Sequence, residues 1–252
     1  MSPSKLMSLA RRGAQIGASA GGGADPTGAA IKAKLTAWWS LDEASGQRND
    51  SHTNALHMTD NNTVTQGAGK VGNATQHDRG NAEHLSHADD DLFTPAGAFG
   101  VGGWIYLDDT GFHTIFSKHT SSGSNREYVL WFFGDSDLLK WYMYPDGGSS
   151  SVIVTANDFG VLSAATWYFV MCWYDEVNIN ISINDGTPDS TAHNTGITNK
   201  TSPFKLGSYN TDADTLMDGR LDEMFFLNDA PTAGEITWLY NAGAGRAYAD
   251  LG

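Results

Sequence analysis

The sequence is poor in cysteine, in basic residues and in long apolar runs, and each shortage excludes a class of protein. Its one cysteine, Cys172, rules out an intramolecular disulfide and any cysteine-built zinc cluster within one chain. Set in WYFVMCWY, it reads as a small buried hydrophobe. Lys and Arg number 15 against 29 Asp and Glu, a net charge of −14. Nucleic-acid binding is driven by cations that neutralise phosphates, so no nucleic-acid partner is expected, and an anionic membrane surface is disfavoured for the same reason. No apolar stretch approaches the ~20 residues needed to cross a bilayer, and the first residues hold no continuous apolar segment that would direct export. H-E-x-x-H, G-x-S-x-G and phosphate-loop patterns are missing. The 8 histidines are scattered, which predicts turn and surface roles rather than a zinc site.

What the chain has in abundance is short β runs separated by turn chemistry. Val177, Ile179, Ile181 and Ile183 alternate with Asn178, Asn180, Ser182 and Asn184, the period of two of a strand with one buried face. Asn184-Asp185-Gly186 then supplies a hairpin turn. Similar runs are AWWSL at 37–41, FGVGGWIYL at 99–107, HTIFSK at 113–118, EYVLWFF at 127–133 and LLKWYMY at 138–144. SVIVT at 151–155, TWYFVMCWY at 166–174, FKLGS at 204–208 and GRLDEMFFL at 219–227 complete the set. Many strands at short spacing predict a sandwich or barrel built around one core. One helix is expected near the end, where Thr232 and Glu235 form a T-x-x-E capping box ahead of Ile236, Leu239 and Tyr240.

Residues 1–34 differ from the rest. They contain no aromatic residue, and Lys5, Arg11, Arg12, Lys32 and Lys34 face Asp25 alone. So Gly- and Ala-rich a stretch cannot bury enough apolar area to offset its chain entropy, so it is expected to be a flexible basic arm. A short helix over Ser2–Gly13, with Leu6 and Leu9 on one side, would be marginal alone. The expected organisation is an arm at 1–34 and one folded domain at 35–252.

Several segments, in order, resemble the laminin-G-like group of the concanavalin A-like lectin and glucanase superfamily. They are AWWSLDEASG at 37–46, NDSHTNALH around Asp50, GKVGNATQHDRGNAEHLSH at 69–87, GWIYL, TWYFVMCWYDEVNINISINDG, FKLGS and MDGRLDEMFFLNDAPTAGEITWLYNAGAGRAY. Where the group usually has a Phe-Asp-Gly turn, this chain has His77-Asp78-Arg79-Gly80. The resemblance implies an all-β, two-sheet antiparallel jelly-roll sandwich, with Trp38, Trp104, Trp167 and Trp131 available to its core.

It also directs attention to three kinds of site. Asp42, Asp50 and Asp222 match positions where relatives gather oxygens around an ion, so calcium is the expected metal, against the alternative that these residues hydrogen-bond their own turns. Glucanase chemistry needs two carboxylates on one face. Asp222 and Glu223 are adjacent and on a regular strand would point to opposite faces, so no catalytic pair is expected and the protein is read as non-enzymatic. Trp141, Tyr142, Met143 and Tyr144 alternate between faces, so a carbohydrate could stack on the outward members, although cross-strand packing explains them too.

Domains of this kind act outside cells, yet no export signal is visible. A bacteriophage virion protein released by lysis reconciles the two. The expected role is a capsid decoration or tail-associated display protein on the virion surface. Lys5, Leu6, Leu9, Arg11 and Arg12 of the arm would seat on a neighbouring capsid or tail subunit in a homo- or hetero-oligomeric assembly. The alternatives are a secreted or cell-surface carbohydrate-binding module and, third, a glycoside hydrolase.

Overall fold

In the computed structural model, the structure describes residues 26–120, 124–209 and 215–252. The side chains named for the expected arm contact, Lys5 to Arg12, lie outside them. Two antiparallel sheets form a sandwich. The first carries β13 (Asp189–Ala192), β12 (Asn178–Ile183), β11 (Trp167–Tyr174), β6 (Phe99–Leu107), β15 (Gly219–Leu227), β4 (Asn73–His77) and β3 (Thr65–Ala68) in that order, and β1 (Leu35–Trp39) also pairs with β15. The second runs β10 (Val152–Thr155), β9 (Leu138–Met143), β8 (Arg126–Phe133), β7 (His113–His119), β14 (Phe204–Leu206), β5 (His84–His87) and β2 (Thr59–Asn61). Among the described residues no helix is long and apolar enough to cross a membrane.

Alternation explains why the apolar runs become these strands. Ile179, Ile181 and Ile183 enter the space between the sheets. Asn184 and Asp185 both take positive φ, 54° and 58°, and the Gly186 amide closes the turn on Ile183 O at 3.0 Å. That double left-handed conformation matches the twist of the flanking strands and is one Asn and Asp tolerate. The strands not anticipated, β2, β3, β4, β5 and β13, read TDN, TQGA, NATQH, HLSH and DSTA. Being short and polar, they carry no alternating apolar signal.

The interior is two cores, not the one expected. Between the sheets, Phe93 stacks on Phe204 with ring centroids 4.6 Å apart, and Trp39, Phe99, Tyr128, Trp141 and Phe226 surround them. The second cluster lies on the outer face of the first sheet and contains Trp38, Trp104, Phe169, Met171 and Phe225. Adjacent Trp38 and Trp39 therefore feed opposite faces of β1, as the pleat requires. Gly102 permits this packing, because a Cβ there would sit 2.7 Å from Met171 Sδ and 2.8 Å from Phe225. Trp131, expected in the core, is not in either cluster.

Two helices roof the second core. α2 (Ala233–Tyr240) has the anticipated capping box, with Glu235 N to Thr232 Oγ1 at 3.2 Å and Thr232 N to Glu235 Oε2 at 2.7 Å. It contributes Ile236 and Leu239. The other roof is α1 (Pro26–Lys34), which begins on a proline suited to a first helical position. Ile31 is 0% exposed, and Lys34 Nζ reaches Ala230 O and Glu235 Oε2, each at 2.9 Å. Lys32 donates to the Gly252 carbonyl. This places the arm boundary differently from the sequence reading: 26–34 belong to the folded body, and two of the five arm cations serve it internally. Ile31 needed tertiary partners that no local pattern announces.

Candidate functional site

Two places in the fold gather chemistry. On the outer face of the second sheet, the positions alternating with the core-facing Tyr128, Leu130 and Phe132 of β8 and Leu139, Trp141 and Met143 of β9 include Trp131, Phe133 and Tyr142. Trp131 lies 4.9 Å from Tyr142 and 6.1 Å from Phe133, centroid to centroid. Phe112 lies 5.0 Å from Phe133, and Tyr142 stacks toward Tyr144 at 6.5 Å. Lys140 Nζ stands 4.2 Å over the Phe133 ring. Phe112, Trp131, Phe133, Lys140 and Tyr142 are half-buried. The described residues enclose no pocket, so this face is an open aromatic shelf. Its inner end is tighter. His119 is 3% exposed, with its ring centroid 5.7 Å from Trp131 and 5.1 Å from both Tyr144 and Tyr209. Burial, and then the Arg126 charge, hold its imidazole down to about 3, while burial pushes the Tyr144 phenol up to about 12.

The second place is a fork in the first sheet. β15 pairs with β4 through Gly219–Leu221 and with β1 from Met224 onward, and a register shift falls between Asp222 and Phe225. Glu223 occupies that bulge at φ 46°. The bulge breaks the strict alternation on which the opposite-face expectation rested, and the Asp222 charge acts on Glu223 while Asp42 acts on both. Asp222 Oδ2 accepts from the Lys70 and Val71 amides at 2.6 and 2.8 Å, and its Oδ1 is buried without a partner. Asp42 Oδ1 accepts from the Asn73 amide at 2.7 Å. Glu223 accepts from the Trp38 indole. Burial lifts the Asp222 carboxyl to about 7 and the Glu223 carboxyl to about 9.

Of the three expected calcium ligands, the fold thus brings Asp42 and Asp222 over one loop and leaves Asp50 apart. Asp50 accepts from the Trp38, His52 and Leu56 amides at 2.9, 2.8 and 3.0 Å, so both its oxygens pin its own turn to β1. Calcium takes roughly six to eight oxygen ligands. The loop at 70–73 presents amide N–H groups to the carboxylates, and Asp222 Oδ1 is the buried oxygen left open. Among the described residues no group of three or more His, Cys, Asp or Glu is placed to hold a metal.

A charged cluster elsewhere in the fold is closed on itself. Lys118 and Glu127, both 0% exposed, form an ion pair in the interior. Lys118 Nζ also reaches Asp89 at 2.7 Å and Lys200 O at 3.1 Å, while Glu127 accepts from Thr94 and from the Lys200 amide. Every partner there is internal, which suits a structural role.

With this geometry in hand, comparison with known proteins is direct. A laminin-G-type family model, described as concanavalin A-like lectin/glucanases superfamily, matches residues 79–237, more than half of the chain. The chain belongs to this family. No curated protein sequence matches it. Among solved structures, domain 4 of the GH43 extracellular arabinanase AbnA from Geobacillus stearothermophilus, in complex with arabinotriose, superposes with a TM-score of 0.62 at 19% identity, covering 84% of this chain and 98% of that one. The binding domain of Paraclostridial Mosquitocidal Protein 1 gives 0.68 at 16%, covering 84% and 53%. The binding domain of botulinum neurotoxin DC in complex with SialylT gives 0.54 at 11%, covering 84% and 52%. The chain thus spans about half the length of these last two binding domains, and at these identities the likeness is one of fold.

The family frame separates what the sequence could signal from what it could not. EYVLWFF and LLKWYMY already alternate, so Trp131, Phe133, Tyr142 and Tyr144 fall on one side once either strand's inward face is known. Which side is inward depends on the partner sheet. Glu223 joins Asp222 only because of the bulge, for which the sequence carries no local mark.

Proposed function

We propose that this family member is a non-catalytic glycan-binding module whose binding face is the outer shelf of the second sheet. The observation that carries the reading is the half-buried ring set of Phe112, Trp131, Phe133 and Tyr142 on a face that the core does not use. The C–H faces of sugars stack on such rings, and an open shelf accepts an extended chain better than a buried small molecule. The arabinotriose and SialylT complexes of structural neighbours support the partner class. A non-catalytic role is supported by the burial of Asp222 and Glu223, which bond the loop amides of Lys70 and Val71 and the Trp38 indole and do not lie on the shelf. The test is an oligosaccharide array and titration with the wild type, Trp131→Ala and Tyr142→Ala. Each substitution should weaken binding about tenfold with little change in melting temperature. Unchanged affinity in both would move the site elsewhere, and release of reducing sugar would mark a hydrolase.

Calcium at the expected Asp42 and Asp222 is held as a metal proposal, supported by the open Asp222 Oδ1. Calcium should raise the melting temperature relative to chelator, and Asp222→Asn should remove the rise; identical melting with and without calcium would eliminate the site. A second functional reading places the domain on a virion surface, with Lys5, Arg11 and Arg12 seating on a capsid or tail subunit. Its support is the charge contrast between those residues and a chain of net −14. Virion subunits should be captured by the full chain and not by one beginning at Pro26; equal capture by both removes the contact from that segment.

A further inference from the structure

Two ring nitrogens at the inner end of the shelf are buried with nothing to bond. His119 Nδ1 and Trp131 Nε1 each lack a hydrogen-bond partner. They belong to side chains in direct aromatic contact, with centroids 5.7 Å apart and rings inclined at 72°. Leaving one buried polar atom unmatched costs its full desolvation, and natural structures contain few. Two in one contact pair, on the face that already carries the aromatic shelf, call for a complementary group from outside the chain.

The chemistry of that group follows from the two atoms. An indole N–H only donates. The His119 ring is neutral across the physiological range, since burial and Arg126 disfavour its charged form, so Nδ1 accepts in the tautomer that carries its proton on Nε2. One group that accepts from the indole and donates to the imidazole satisfies both, and an alcohol does so with one oxygen at about 3 Å from each nitrogen. A carboxylate has no proton to give His119, and an ammonium has no lone pair for Trp131.

We propose that His119 Nδ1 and Trp131 Nε1 form a hydroxyl-specific subsite at the inner end of the glycan shelf, reading one sugar hydroxyl as simultaneous donor and acceptor. The inference rests on the glycan-binding reading and adds to it a selector, where the outer rings supply stacking that is tolerant of sugar identity. Tyr209, 5.1 Å from His119 and 5.4 Å from Trp131, packs against both rings of the pair.

The experiment pairs stability with selectivity. His119→Phe keeps an aromatic ring and removes the unmatched nitrogen, and Trp131→Phe removes the other. The probes are an array of neutral and sialylated oligosaccharides that includes arabinotriose, then titration of its tightest ligand and that ligand's monodeoxy analogues. His119→Phe is expected to raise the unfolding midpoint of the free protein and to weaken the parent sugar at least about tenfold. One monodeoxy analogue should bind the wild type correspondingly weakly and bind His119→Phe and Trp131→Phe no worse than the parent does. Loss of stability in His119→Phe, or wild-type discrimination retained in both variants, overturns the subsite. If Tyr142→Ala loses binding while both Phe variants keep it, the shelf stands and the hydroxyl subsite falls. If the wild type binds no member of the array, both fall together.

Discussion

Glu223 shows how one backbone angle changes the chemistry of a strand. At φ 46° it interrupts the pleat, and it shares the fork with Asp222 rather than facing away from it. Burial raises its carboxyl to about 9 and that of Asp222 to about 7. The folded chain therefore keeps protons that an unfolded chain, with carboxyls near about 4, releases. This contribution to stability is fully present in acid below the unfolded values and is lost as pH rises toward about 9. His77, held down to about 4 by burial, and His119, held to about 3, act in the opposite sense. Below about 6.5 the unfolded chain takes up protons that these folded rings refuse, so acid destabilises. The two slopes oppose each other below that pH, and above it the carboxyls act without opposition from the histidines. Glu223→Gln, which can still accept from the Trp38 indole, should flatten the fall in melting temperature between about pH 6.5 and 9. Parallel melting profiles for variant and wild type would contradict the assignment.

Among the elements, α1 departs furthest from what local sequence suggests. PTGAAIKAK is short, and short helices are marginal alone, so its stability must come from docking. Ile31 enters the second core, and Lys32 and Lys34 tie the helix to the C-terminal carbonyl and to α2. A chain beginning at Leu35 should therefore be less stable than one beginning at Pro26, by at least the roughly 2 to 5 kcal/mol that truncating one buried Ile to Ala costs. Denaturant midpoints for the two chains measure this, and equal midpoints would show that the helix is dispensable. By contrast β12 and α2 could be read directly, because the Ile alternation and the T-x-x-E cap are local signals whose partners lie within a few residues. The β2, β3, β4, β5 and β13 segments could not, since their pairing depends on neighbours already in place.

At the scale of the whole molecule, the apolar faces of two sheets and the outer face of one are covered, and the outer face of the other carries the shelf. The single cysteine excluded an intramolecular disulfide, and the acidic balance argued against a nucleic-acid surface. Alternation and turn residues were enough to predict an all-β sandwich or barrel and most of its long strands, because strand period and hairpin chemistry are properties of adjacent residues, and the family resemblance selected the sandwich. Long-range packing decided the rest. It made Trp38 and Trp104 a second core, left Trp131 on the outer face, separated Asp50 from Asp42 and Asp222, and turned Glu223 back toward its neighbour. Each of these depends on which face of a strand meets another layer and on where a sheet forks. Those are relations between residues as distant as Trp39 and Met224, and no window of sequence contains both.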